Sequence, residues 1–119
     1  MFFFDTYALI EVLKGNPSYN AYGDFTFVVT HLNIGELYIY LIRANGKAEA
    51  EKKLASIIFT AVPLNIELIK QAVEFKQIHN YKEVSWADCI GYVAAQKLGL
   101  KFLTGDSQFK GLPEVEFVK

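Results

Sequence analysis

"MFFFDTYALIEVLKG", residues 1–15, passes from three consecutive aromatics through one acid into a helical pattern. Phe2, Phe3 and Phe4 have the character of a buried strand, and Asp5 closes the run. Leu9, Ile10 and Leu13 then recur at helical spacing, and Gly15-Asn16-Pro17 supplies a stop. A strand followed at once by a helix is the first half of a parallel βαβ unit.

The same alternation continues to the end of the chain. "FTFVVT" (25–30) is β-branched and aromatic, and "HLNIGELYIYLIRANG" follows with Ile34, Leu37, Tyr38 and Leu41 on one stripe. "KAEAEKKLASI" reads as a polar-faced helix, and "FTAVPL" (59–64) as a short strand ended by Pro63. Residues 65–79 place Ile66, Ile69, Val73 and Phe75 along a helix capped by Asn65, and residues 85–98 form a helix ending at Gly99. "LKFLT" (100–104) and "VEFV" (115–118) complete the strands. Helices between strands cover both faces of a parallel sheet, so the expectation is one α/β domain over residues 1–119, a three-layer α/β/α sandwich with four or five strands.

Composition narrows the function. Twelve basic and thirteen acidic residues leave a net charge of −1, which excludes a global electrostatic footprint for nucleic acid and leaves only a local one. One cysteine, Cys89, excludes an internal disulfide and a Cys-rich zinc site, and fits a reducing cytoplasm. The opening residues lack a basic start, which argues against a signal peptide, and no apolar run approaches the roughly 18 residues of a membrane span. His31 and His79 have no metal-ligand spacing, and Cys89 reads as a small core residue.

Four acids stand apart from the rest. Most of the others, including Glu49, Glu67, Glu83, Glu114 and Glu116, sit among lysines or in polar patches and read as surface charge. Asp5 and Asp106 instead follow strands directly, while Glu36 and Asp88 lie near the starts of helices. Sites in open parallel sheets form beyond the carboxyl ends of the strands, and all four fall at that edge. Taken singly, each has a plain structural reading: Asp5 as a helix cap, Asp88 as half of a capping box with Ser85, Glu36 as a solvated side chain, Asp106 as a turn residue. Taken together, carboxylates about 4 Å apart repel by about 4 kcal/mol per pair at an effective dielectric of about 20. No Arg, His or Lys immediately follows Asp5 or Asp106 to offset this. A divalent cation would, and all-oxygen ligands suit Mg²⁺ or Mn²⁺ over zinc.

In this order "FFFDTYALI", "THLNIGELYIYL" and "WADCIGYVAAQKLGLKFLTGDSQF" resemble the PIN domain, and specifically the small VapC-type ribonuclease toxins. The resemblance spans the whole chain and implies a metal-dependent nuclease. It makes Asp5, Glu36 and Asp88 ligands of a first metal, with Asp106 completing the cluster or serving a second. Thr6 and Thr104 would support them from behind. It also implies RNA as substrate, a 5′-phosphate product, a cognate antitoxin protein and a homodimer. The departures are Tyr7 and Asn33, where the family often has hydroxyl or small polar residues, and Ala94-Ala95, where a Thr is often found.

The chemistry asks for little else. A divalent ion lowers the pKa of its water and neutralises charge on the phosphate in an in-line displacement, so no histidine is needed. Lys14, Arg43 and Lys47 follow the acids along their helices and are the candidate phosphate contacts. Tyr7, Tyr38, Tyr40 and Tyr92 offer rings for base stacking or for packing. The helix at 85–98 is apolar on more than one side, which suggests a second chain against it. A receiver domain needs an acid after its third strand, and a haloacid-dehalogenase phosphatase needs a second acid in "DTY"; both are absent. The competing functions are a non-catalytic binding module on the same scaffold and an RNA-processing nuclease without a toxin role.

Overall fold

The computed structural model describes residues 1–80 and 83–119. Five parallel strands, β1 (Phe2–Phe4), β2 (Phe27–Val29), β3 (Phe59–Ala61), β4 (Lys101–Thr104) and β5 (Val115–Phe117), form one sheet in the order β3-β2-β1-β4-β5. The helices are α1 (Thr6–Lys14), α2 (His31–Asn45), α3 (Lys47–Ala55), α4 (Ile66–Ile78) and α5 (Trp86–Leu98). The chain winds outward from β1 in one direction through β2 and β3, then returns to place β4 on the other side of β1. The crevice between β1 and β4 is therefore the topological switch point, where α/β sheets form their sites.

Successive side chains of a strand point to opposite faces, so Phe3 and Phe4 enter different cores. Phe3 packs with Phe102, Phe109, Leu68, Ala72 and α5 on one side. Phe4 packs with Leu9, Tyr19, Leu37, Leu41, Ala50 and Leu103 on the other. These are the two outer layers of the sandwich, α4 and α5 against α1, α2 and α3. Among the described residues no helix is long and apolar enough to cross a membrane.

Helix α5 is the most enclosed. Ser85 caps it by accepting from the Asp88 N–H at 3.1 Å, and Gly99 ends it in the left-handed region at φ 68°. A Cβ on Gly91 would stand 2.8 Å from the Phe3 ring, so glycine is what lets the helix lie this close to β1. Ala87 and every residue from Cys89 to Ala95 is buried, because α4 covers the side that the sheet does not. Much of the apolar surround of this helix, which suggested a second chain, is thus buried inside one chain, while Trp86 and Leu98 at its two ends remain exposed.

Two helix faces differ from the sequence reading. In α4 the buried residues are Leu68 and Ala72, while Ile66 and Ile69 are exposed. Both stripes have helical spacing, and the alanine on the true one hides it from a hydropathy pattern. In α1, Ala8 and Leu9 are buried but Leu13 is exposed near the helix end. Pro17–Tyr22, of which only Pro17 was read, as part of the helix stop, forms a 3-10 segment that buries Tyr19.

Candidate active site

Asp5 follows β1 at the switch point and is almost fully buried. It caps α1 by accepting from the Ala8 N–H at 2.8 Å, and its second oxygen accepts from the Thr104 hydroxyl. Thr104 in turn accepts from the Asp106 N–H at 3.0 Å, which fixes the start of the loop after β4. Asp106 then caps the 3-10 turn Ser107–Phe109 by accepting from the Gln108 N–H at 2.9 Å. Two strands meeting in register thus place two acids side by side.

Glu36 comes from the second turn of α2 and is held by the Thr6 hydroxyl, which donates to Oε1 at 2.5 Å. Asn33 stands behind this contact. Its Nδ2 donates to Thr6 Oγ1 at 3.2 Å, and its Oδ1 accepts from the Thr30 N–H at 3.0 Å. The buried Asn33 therefore does the work of a hydroxyl at this position, orienting Thr6 and through it Glu36. Asp88 reaches the same space from the first turn of α5.

All four carboxylates line one cleft of about 480 Å³. Among the described residues none of the four makes an ion pair, since the salt bridges join Lys14 to Glu11 and Lys52 to Glu49. The consequence is electrostatic strain. Burial pushes the Asp5 carboxyl up to about 8; the Thr104 and Ala8 hydrogen bonds resist this, and the charges of Asp88 and Asp106 add to it. Burial and then the charge of Glu36 push Asp88 up to about 6, against the pull of the Ser85 hydroxyl.

The convergence is on a cleft rather than a point. Among the described residues no three His, Cys, Asp or Glu side chains are grouped so as to hold one metal ion. Each carboxylate is held against its own wall by a local donor, and like charges favour that separation. The donor set, carboxylate and hydroxyl oxygens, and the uncompensated negative charge both fit a hard divalent cation. Occupying it through three carboxylates requires side-chain rotation.

The cations expected from the sequence lie elsewhere. Lys14 and Arg43 stand in the last turns of α1 and α2, and Lys47 opens α3 just beyond. A helix that starts at the carboxyl edge of the sheet runs away from it, so following the acids along these helices leads to the opposite end. Lys14 is paired with Glu11 at 3.4 Å. The cleft instead holds Lys119, and beside it a fifth acid, Glu83, neither singled out by the sequence. The signal for Lys119 was its distance from β5, whose register with β4 sets Phe117 opposite Thr104. Of the four tyrosines considered for stacking, Tyr7 alone lines the cleft; Tyr92 is buried, its hydroxyl donating to the Pro113 carbonyl at 2.7 Å. Cys89 is buried, and its thiol is pushed up to about 11 by that burial.

A doubly wound domain with one buried and three half-buried carboxylates at its switch point defines a class, and the sequence assigns the family within it. The PIN domain family model matches residues 2–115, and the chain belongs to that family. No curated protein matches the chain. Among solved structures it is similar to a toxin–antitoxin complex from Klebsiella pneumoniae, with a TM-score of 0.77, 18% identity, and 98% and 96% of the two chains covered. It is also similar to VapC20 of Mycobacterium tuberculosis, a sarcin–ricin loop cleaving toxin, with a TM-score of 0.75, 19% identity, and 100% of both chains covered. A third is VapBC2 from Rickettsia felis bound to a DNA fragment from its promoter, with a TM-score of 0.73, 15% identity, and 99% and 98% covered. These likenesses establish a shared fold across nearly the full length of each chain.

Proposed function

We propose that the protein is a Mg²⁺- or Mn²⁺-dependent endoribonuclease and the toxin of a toxin–antitoxin pair. The observation that carries this is the set of four carboxylates around one cleft, unanswered by any ion pair among the described residues. Asp5, Glu36 and Asp88 would hold the ion, with Asp106 completing the set or serving a second one. A bound divalent ion supplies a nucleophilic water near neutral pH and offsets charge on the phosphate.

The chain's own residues do the remaining work. Thr104 and Thr6 hold Asp5 and Glu36 at the cleft, so that the ion's arrival would require only a local rotation of the carboxylates. A carboxylate at the rim of the cleft can accept a proton from the attacking water. Cleavage leaving a 5′-phosphate follows from the family. An antitoxin partner is supported by the solved complexes of similar fold. The second reading is a non-catalytic binding module, and the separation of the carboxylates is the observation on its side.

One assay decides between them. Purified protein is incubated with short unstructured RNA and Mn²⁺ or Mg²⁺, with and without chelator, beside the Asp88→Asn variant. Metal-dependent cleavage that falls at least about a thousandfold in the folded variant supports the nuclease, because loss of a ligand removes the term that drives the reaction. Cleavage that persists in chelator, or in the variant, ends the metal mechanism. Absence of cleavage across varied RNAs, by a folded parent, favours the binding module.

A further inference from the structure

A cleft lined by five carboxylates repels the phosphate backbone it is proposed to bind, and among the described residues only one cation lines it. That cation is Lys119. The chain carries it there by β5: Val118 donates its N–H to the Thr104 carbonyl at 2.9 Å, and its own carbonyl accepts from the Tyr19 hydroxyl at 2.5 Å. Lys119 is thereby delivered over the carboxyl edge of the sheet, beside Gly105.

What holds its ammonium is unusual for such surroundings. Nζ donates to the Gly105 carbonyl at 3.2 Å and stands 5.6 Å from the centroid of the Tyr7 ring. The ring itself is seated on Gly105, where any Cβ would come within 2.1 Å of it, so a glycine is required for this wall to form. Among the described residues Lys119 makes no ion pair. A carbonyl and an aromatic face hold the amine in place without neutralising it, and an ammonium has three donors, of which the carbonyl takes one. Had it paired with Asp106, both charges would have been cancelled for substrate and for metal alike.

We propose that Lys119 is a substrate-positioning residue that binds a phosphate of the RNA backbone at the mouth of the cleft, with Tyr7 and Gly105 as its seat. The assignment rests on the nuclease reading above. It explains why Tyr7 stands where a small polar residue is common in the family: the ring is a platform for the lysine.

The test compares the parent, Lys119→Met and Lys119→Arg in steady-state cleavage of short single-stranded RNA with Mn²⁺, over a range of KCl concentrations. Loss of the charge is expected to raise KM about five- to tenfold, the effect of one solvent-screened charged hydrogen bond, with kcat changed less than about twofold. The salt dependence of kcat/KM should become shallower by about 0.7 in log–log slope, one phosphate contact on a single strand. Arginine should restore both. Unchanged KM and salt slope in Lys119→Met, or a fall in melting temperature with no change in either, would show that the lysine merely fastens β5 and overturn the proposal while leaving the nuclease intact. A parent that cleaves no RNA removes both readings together.

Discussion

Helices α1 and α2 each begin at the acidic cleft and end about 13 and 22 Å away at the opposite edge of the sheet, and their two ends are treated very differently. At the far end charge is answered on the spot. Lys14 pairs with Glu11 at 3.4 Å, Lys52 with Glu49 at 3.6 Å, and Lys53 donates to Asn45 Oδ1 at 3.3 Å. Lys14 and Arg43 also lie in the last turns of their helices, where the macrodipole favours cations. At the near end Asp5, Glu36, Asp88 and Asp106 line one cleft, and among the described residues hydroxyl and N–H donors, not ion pairs, hold them. One end is electrostatically finished and the other is not. The unfinished end is where a cation or an anionic ligand changes the energy most.

The largest expected effect is on stability as a function of pH. Asp5 has its carboxyl raised from 3.8 to about 8 in the fold, and Asp88 to about 6. Between the unfolded and folded values the native state keeps protons that the unfolded state has released, so stability must fall as pH rises. The stabilisation is complete below about pH 4, is lost for Asp88 as pH passes about 6, and is lost for Asp5 through about 8. Without divalent ions the protein should lose on the order of a few kcal/mol over that window, read from urea unfolding at successive pH values. Mn²⁺ binds the ionised carboxylates and should reverse the trend, raising the melting temperature more at about pH 8 than at about pH 5. Stability that is flat through this range, or a shift with Mn²⁺ that is independent of pH, would erase the distinction between the two ends.

The near end was legible in the sequence because most of its acids obey a rule of topology. Asp5 and Asp106 stand at the ends of strands and Glu36 in the second turn of the helix after β2, positions that a parallel sheet brings to one edge, whereas Asp88 lies on α5, which follows α4, and arrives there through helix packing. Asp5 and Asp106 needed only the strands "FFF" and "FLT" to be placed. Glu83 obeys no such rule; Lys119 does, standing two residues past β5 as Asp106 stands two past β4, but the cations were sought along the helices instead. The first lies on the connection before α5, and the second is brought in by the pairing of β5 with β4. The position of Glu83 depends on how α4 and α5 pack, which no local pattern encodes. The stripe on α4 was read only in part: Phe75 packs on the core as read, but Leu68 and Ala72 are buried there in place of Ile66 and Ile69, a choice made by tertiary packing. At the far end the error was one of direction, since a helix carries its later residues away from the edge at which it started.

A smaller effect is expected where the near end is held together. Thr104 is fully buried, donates to Asp5 and accepts from the Asp106 N–H at 3.0 Å. Thr104→Val keeps the shape and removes both bonds, leaving an N–H and a carboxyl short of partners. The expected cost is about 2 kcal/mol in unfolding free energy. Cleavage should fall by about ten- to a hundredfold, as for other residues that orient a metal's ligands. A conservative Thr104→Ser should recover most of the activity because the hydroxyl, not the methyl, makes the contacts. If Val and Ser behave alike, Thr104 is simply packing and the two acids are not linked through it.

The smallest effect belongs to the far end, and it is the sharpest check on the comparison. Lys14 is largely exposed and pairs with Glu11 one turn earlier, an arrangement worth a few tenths of a kcal/mol. Arg43 is exposed on the last turns of α2, away from the cleft. Lys14→Met and Arg43→Met, singly or together, should change unfolding free energy by less than about 0.5 kcal/mol. KM for a short RNA should stay within about twofold at moderate salt, because charges beyond a Debye length of about 8 Å are largely screened. The same substitution at Lys119 should raise KM several-fold. If Lys14→Met and Lys119→Met weaken RNA binding equally, the nucleic acid does not discriminate between the ends, and its path runs down the length of the helices rather than across the cleft.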